Sequence, residues 1–568
     1  MKQLKYQLAT YPLRFSFLLH IFFFAITYIN VKPYFMSNDD IAMMLSVSGK
    51  ILTTEPSPHV QFMHIFIGEV LSLLYTYFPD GHWYEGFFVS CLFIAYWQVC
   101  YVMLKRQSKI TVLFLYILFF ITSASYTLIA LQFTIIASVL AFSGLIILFF
   151  TPVAHTHLSI KDIFLKPQSY QIIAFVMLLL AYMVRFESFI FILLVACPVI
   201  AYELYLKSQR IKTINNIAVL VVVLLICFPL QKYHLYRYKQ WGNFLVFNEK
   251  RALFLDYSIL EYAPLDAKIK ALKAANWSVN DYVMLMTWFF SDEKVYNINN
   301  FDKALQALPK YKQEITFKQL WDYQKNVYSY ALVLQSIGFL LFTLCFCKKV
   351  DILVITTSFI YLFFILLAIH YFLKPPPERV FIPAFYFISL LPLLFTHFTW
   401  QNLLKDSASI FTKIAFAITC LLVCISVFSS LKATKNSLRA EEKEEILKNL
   451  INIIQPNANK LFVVWGATFP YEYIIPFSNM DYLSNLYLMG LGTSQQTPDA
   501  KKLLKKFDVK DIYIDLAMKE NLFFIASEKL IIENYFQYMK EHYSLNLRGE
   551  GVVKINNAWF VIKIRPVK

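Results

Sequence analysis

The stretch Ser37-Asn38-Asp39-Asp40 sets two carboxylates side by side, a few residues after an apolar run long enough to cross a bilayer. A carboxylate held at a membrane surface can take the proton from an acceptor hydroxyl or amine and so act as a general base. The same residues also suit a helix start, where Ser37, Asn38 or Asp39 would cap free amide groups and an acid in the first turn would complement the helix dipole. On residue types alone the two readings stand level. His59 and His64 lie five residues apart and miss the four-residue repeat of a zinc-protease helix, so they read as polar side chains of an interfacial segment. The chain has no nucleophile elbow, phosphate loop or dinucleotide fingerprint, which removes the soluble-hydrolase, ATPase and Rossmann classes.

The elements that must position these acids are membrane spans. Of 568 residues, 58% are hydrophobic and 16% charged, with only 12 glycines, and the mean hydropathy is +0.52, values of a polytopic membrane protein. The net charge of +16 informs orientation, because basic residues gather at cytoplasmic span ends; no nucleic-acid motif accompanies it. All eight cysteines fall in or beside apolar segments, so no disulfide framework is implied.

Twelve apolar runs reach spanning length, the first at 13–31 and the last at 410–430. If all twelve crossed, the basic loop 105–109 would face outside. The run 60–78 is the exception: Gln61, His64, Gly68, Ser72 and Thr76 form a polar stripe with Glu69 beside it, the pattern of a helix lying in the interface. Eleven spans remain, and the basic clusters 105–109, 207–212 and 348–349 all become cytoplasmic. The expected fold is mainly α: a transmembrane bundle over 1–430, N-terminus in and C-terminus out, with external loops 32–85 and 231–326. The tail 431–568 mixes strand-like runs (461–465, 509–516, 559–564) with helical ones and reads as an extracytoplasmic α/β domain, Asn556-Asn557 marking a hairpin.

This order of features resembles the GT-C superfamily of polytopic glycosyltransferases, which includes protein O-mannosyltransferases and aminoarabinose transferases. In that pattern Asp39-Asp40 matches the acid pair of the first external loop, Glu55-Pro56-Ser57-Pro58 the proline-marked approach, and 60–78 the interfacial helix. Glu378-Arg379-Val380-Phe381-Ile382-Pro383 is similar to the Arg-Tyr-x-x-Pro element that opens a late span, with Val380 in place of tyrosine. One departure stands out: many relatives carry a further acid before the fourth span, where this chain has Gln132.

The resemblance implies transfer, with inversion, of a sugar from a polyprenyl-phosphate carrier to an envelope glycan, lipid or protein acceptor, on the periplasmic or external face of a bacterial inner membrane. Asp39 would then be the general base and Asp40 its helper. The leaving phosphate needs cations at headgroup depth, and arginine holds phosphate oxygens with two bonds; Arg379 is the first candidate, followed by Arg185 and Arg251. As a snorkelling anchor Arg379 has a structural alternative, and Arg185 has another in pairing with Glu187. The segment Phe247–Tyr257 mixes Asn248, Glu249, Arg251 and Asp256 with aromatics, suited to cupping a sugar or simply to a solvated helix face. Glu55, His59, Gln132, Glu187 and Asn248 are the expected substrate contacts. No residue is assigned to a metal, although the resemblance leaves a divalent ion open. Two other classes are a transporter or flippase of lipid-linked sugars, which would call for ionisable residues within spans, and a non-catalytic assembly protein that works through its tail.

Overall fold

The structure is a computed structural model. It describes residues 8, 10–107, 110–152, 168–206, 210–261, 263–308, 315–344, 349–395, 439, 442–465, 468–526, 529–554 and 560–567. The bundle begins with α1 (Pro12–Asn30), β1 (Tyr34–Phe35), α2 (Asn38–Val47), α3 (Ile65–Tyr77) and α4 (Trp83–Arg106). It continues with α5 (Ile110–Ile129), β2 (Ala130–Leu131), α6 (Phe133–Phe150), α7 (Ser169–Val184), α8 (Phe186–Tyr205) and α9 (Arg210–Tyr236). Four helices of the long loop follow: α10 (Lys239–Leu255), α11 (Leu265–Ala274), α12 (Val279–Met286) and α13 (Ile298–Ala307). The chain then returns to the bundle through α14 (Phe317–Ser329), α15 (Ala331–Leu344), α16 (Lys349–Phe372) and α17 (Glu378–Phe395).

Among the described residues eight helices are long and apolar enough to cross a membrane, and a ninth span results if α14 and α15 count as one. The expected run 327–346 is that pair, bent by 70°. Lys318, Asp322 and Lys325 make α14 too polar to continue the apolar path of α15. The run 170–186 is α7, a 16-residue helix, and the run 410–430 lies outside the described residues. The interfacial run 60–78 is shorter than expected: α3 has 13 residues and is capped by His64, whose side chain accepts from the Phe66 amide. Gly68 is obligatory there, because a Cβ would stand 1.8 Å from the Pro58 carbonyl oxygen.

Every residue of α6 is buried, and α4, α7, α8 and α17 pack around it. At about 1.5 Å per residue its 18 residues run about 27 Å. Asp40 serves its first amide, and its last carbonyls receive Lys212 Nζ (Phe149 O 3.0 Å, Thr151 O 2.8 Å) and Arg106 Nη1 (Phe150 O 3.5 Å). The cations at the carboxyl end complement the helix dipole. Asp40 and the cations Arg106 and Lys212 thus sit at opposite ends of one central helix.

The C-terminal domain holds β3 (Leu461–Trp465), β4 (Leu488–Leu491), α18 (Pro498–Lys506), α19 (Ile512–Met518), β5 (Leu522–Ala526), α20 (Lys529–Tyr543), β6 (Leu547–Lys554) and β7 (Phe560–Pro566). The sheet order is β4-β3-β5-β7-β6, with β4, β3 and β5 parallel and the β6–β7 pair antiparallel. Asn556-Asn557 lies outside the described residues. The strand expected at 509–516 is instead helical, because Asp511 accepts from the Tyr513 and Ile514 amides and caps α19. The long loop and the C-terminal domain share one hydrophobic core: Phe289 packs on Trp465 and Tyr513, while Phe254, Trp277 and Phe301 fill its other side.

Candidate active site

The first loop is pinned at several points before it reaches the acids. β1 pairs in parallel with β2 (Tyr34 with Ala130, Phe35 with Leu131), and Met36 N donates to Leu131 O at 3.0 Å. This ribbon sets the start of α2 against the start of α6. Asp40 is fully buried there: Ser37 Oγ donates to its Oδ2 at 2.7 Å, and the Phe133 amide donates to its Oδ1 at 3.0 Å. Burial pushes its carboxyl up to about 8, against the pull of these two hydrogen bonds. Asp40 does not line the cavity beside Asp39, so the helper role expected for it gives way to a structural one. Gln132 is corrected in the same way. It is fully buried and caps α6, its Oε1 accepting from the Ile135 amide at 3.0 Å and its Nε2 donating to Thr134 Oγ1 at 3.1 Å, and it does not line the cavity.

Asp39, one residue earlier, faces the other way. It is half-buried and lines a cavity of about 300 Å³, a volume at the small end of the about 300–1,000 Å³ usual for ligand sites. Burial raises its carboxyl above the ordinary range, while the charges of Arg379 and then Arg185 pull it down. The two arginines act on Asp39 through their charge and do not line the cavity.

Arg379 stands at the start of α17, half-buried, with no hydrogen bond or ion pair among the described residues. Arg185 joins α7 to α8. Its guanidinium lies over the rings of Phe62 and Phe133, which are themselves stacked, and pairs with the exposed Glu187 at 2.9 Å. Screening leaves such a pair weak. Arg251 is placed differently from the expectation: it is buried inside the long loop, bonded to Asn248 Oδ1 (3.0 Å) and Asp256 Oδ2 (3.2 Å) and packed over Trp288. It supports a cavity wall through Trp288, and Asn248 Oδ1 helps to hold it.

The far wall comes from residues that the sequence did not single out. Thr493, Ser494, Thr497 and Asp499 follow β4, and Trp241 and Trp288 come from the long loop. His59 stacks on Trp241 with centroids 4.0 Å apart, and burial lowers it to about 3, so it is neutral. The first loop is tied to this wall by three contacts: Leu488 N to Ile51 O (3.0 Å), Thr493 Oγ1 to Gln61 Oε1 (2.8 Å) and Lys502 Nζ to Glu55 (2.7 Å). Glu55 therefore bridges loop and domain at the surface. The only signal for this wall in the sequence was a strand-like run ending in Gly490-Leu491-Gly492, then Thr497-Pro498, a helix cap with proline in the first turn.

Among the described residues, one set of three His, Cys, Asp or Glu side chains is close enough to hold a metal: Asp281, Glu541 and His542. None of them lines the cavity, and Asp281 is bonded to His542 at 2.7 Å and Glu541 to Ser278 at 2.9 Å.

Fold and cleft together define a polytopic membrane protein whose α/β module closes a cavity over the loop that follows its first span. No protein-family model and no curated protein matches the chain. Solved structures similar to it include ArnT from Cupriavidus metallidurans in the apo state, at 12% identity and a TM-score of 0.39 over 96% of this chain and 97% of that one. ArnT from the same organism bound to undecaprenyl phosphate matches at 12% identity and a TM-score of 0.37, with the same coverage.

Proposed function

We propose that the protein is a membrane glycosyltransferase of the GT-C type that takes its sugar from a polyprenyl-phosphate carrier. The observation that carries this reading is Asp39 itself: half-buried, lining the cavity, and within the fields of Arg379 and Arg185, which do not line it. A lipid-linked donor has a similar division, with an anionic phosphate at the membrane surface and a neutral sugar beyond it. Arg379 and Arg185 hold the phosphate oxygens and stabilise the charge that grows there as the anomeric C–O bond breaks. The acceptor hydroxyl attacks the anomeric carbon, its proton passes to Asp39, and polyprenyl phosphate leaves. A single displacement of this kind inverts the anomeric centre. The acceptor class is an envelope glycan, lipid or protein on the non-cytoplasmic face of a bacterial inner membrane.

The test is envelope-glycan analysis of a strain lacking the gene, complemented by wild type or Asp39→Asn. A sugar missing from the deletion strain, restored by wild type and not by a membrane-inserted Asp39→Asn protein, is expected. Restoration by both removes Asp39 as the base.

A further inference from the structure

The cavity below Asp39 is chemically unlike a phosphate site. No lysine or arginine lines it; the ionisable lining residues are Asp39, Asp499, His59 and Tyr471. What it offers is hydroxyl groups, backbone at Gly490 and Gly492, and the aromatic faces of Trp241, Trp288 and Tyr471. Gln61, one of the lining residues, carries an unsatisfied donor. Gln61 has its carbonyl end fixed by Thr493 Oγ1 at 2.8 Å, and its Nε2 is buried with no hydrogen-bond partner. A buried, unpaired amide costs about 1–3 kcal/mol, which an oxygen atom of a ligand would relieve. Gly492, also in the lining, borders open space: a Cβ there would meet nothing within 4 Å.

Resting on the glycosyltransferase reading, we propose that this cavity is a subsite for a single sugar ring without acidic substituents, recognised through Gln61 Nε2, the hydroxyls of Thr493 and Ser494, and the faces of Trp241 and Trp288. The C-terminal domain is then part of the specificity machinery. Thr493 acts through Gln61, orienting the amide, and Asp39 and Asp499 turn anionic sugars away by like-charge repulsion. Aromatic faces with a few placed hydrogen-bonding groups give such a site its orientation.

Trp241 and Trp288 report occupancy directly by fluorescence. The purified full-length chain is titrated with glucose, galactose and mannose as neutral probes, and with glucuronate and inorganic phosphate as anionic ones. At least one hexose is expected to change the emission saturably, with glucuronate and phosphate at least tenfold weaker. Thr493→Val should weaken hexose binding by about tenfold, a loss near 1.4 kcal/mol. Gly492→Val, which fills the space without touching the core, should weaken it further. Silence with every hexose, preference for glucuronate or phosphate, or both variants binding like wild type each overturns the subsite. Undecaprenyl phosphate binding and the Asp39→Asn glycan profile are measured alongside. If the carrier lipid binds and that profile loses its sugar while no hexose binds, the subsite falls and the transferase reading stands. If hexoses bind as expected while the carrier does not and the profile is intact, the transferase reading falls and the subsite stands.

Discussion

The amide of Phe133 donates to Asp40 Oδ1 at 3.0 Å, joining the first loop to the first turn of the central helix across 93 positions of sequence. Both residues are buried. Replacing Asp40 with alanine strands that amide without water, at a cost of roughly 1–3 kcal/mol, whereas asparagine keeps an acceptor in place. Asp40→Ala should therefore lower the thermal midpoint of the purified protein, and Asp40→Asn should stay close to wild type at acid pH. Equal midpoints for alanine and wild type would show that the bond does not hold the loop.

The same carboxyl has a pH signature. Its native value, pushed up to about 8 by burial, lies above the ordinary unfolded value near 3.9. A group raised in this way contributes stability that is fully present below the unfolded value and is lost as pH rises through the native one. Wild-type thermal midpoints should fall between about pH 4 and pH 8 relative to those of Asp40→Asn, which has no such titration. Parallel curves for the two proteins across that window would contradict it.

Asp39 gives a kinetic counterpart. As a base it must be ionised, so the transfer rate should fall as pH drops through its raised value. Arg379 is the leading charge that lowers that value; removing it should raise the carboxyl further. Arg379→Gln should thus move the acid limb of kcat/KM to higher pH, besides weakening donor binding. An acid limb that stays in place while KM rises would leave Arg379 a phosphate ligand with no electrostatic hold on the base.

How much of this was legible in the sequence follows from what each residue does. Asp39 was visible because a lone polar pair after a span is costly unless used. Asp40 has the same side chain and the same neighbours, and only the tertiary partner at Phe133 separates the two. Gln132 could not be recognised as a cap, since glutamine is not among the preferred capping residues and its role lies in a single bond to the Ile135 amide. Lys318, Asp322 and Lys325 fall just before or at the edge of the run 327–346, which hid the bend between α14 and α15. Thr493 and Asp499 lie more than 400 positions from Asp39, and local periodicity carries no information on which distant loop closes a cavity.

Two glycines separate fold from flexibility. At Gly68 a Cβ would lie 1.8 Å from the Pro58 carbonyl, one residue before the cavity-lining His59, whereas at Gly86 of α4 it would meet nothing within 4 Å. Gly68→Ala should force the Pro58 segment outward, cost roughly 1–3 kcal/mol and reduce transfer. Gly86→Ala should stabilise α4 by up to about 1 kcal/mol with transfer unchanged. Thermal unfolding and initial rates on both variants check this; a Gly68→Ala protein as stable and active as wild type would mean that the close approach at Pro58 is not needed.

Arg251 tests whether a buried cation serves the wall or the ligand. Its bonds to Asn248 and Asp256 and its packing over Trp288 tie it to the cavity wall. Truncation exposes no new anion site; it leaves Asn248 and Asp256 unpaired and loosens Trp288. Asp256 is itself partly exposed, so water offsets some of the loss, and a cost of roughly 1–3 kcal/mol is expected. Arg251→Met should therefore lower thermal stability and change the tryptophan emission while leaving the affinity for undecaprenyl phosphate within about twofold of wild type. Arg379→Gln should do the reverse, weakening carrier binding with little change in stability. If Arg251→Met were the variant that lost the carrier lipid, the phosphate would lie on the long-loop side of Asp39, and the division between cation pair and sugar cavity would have to be redrawn.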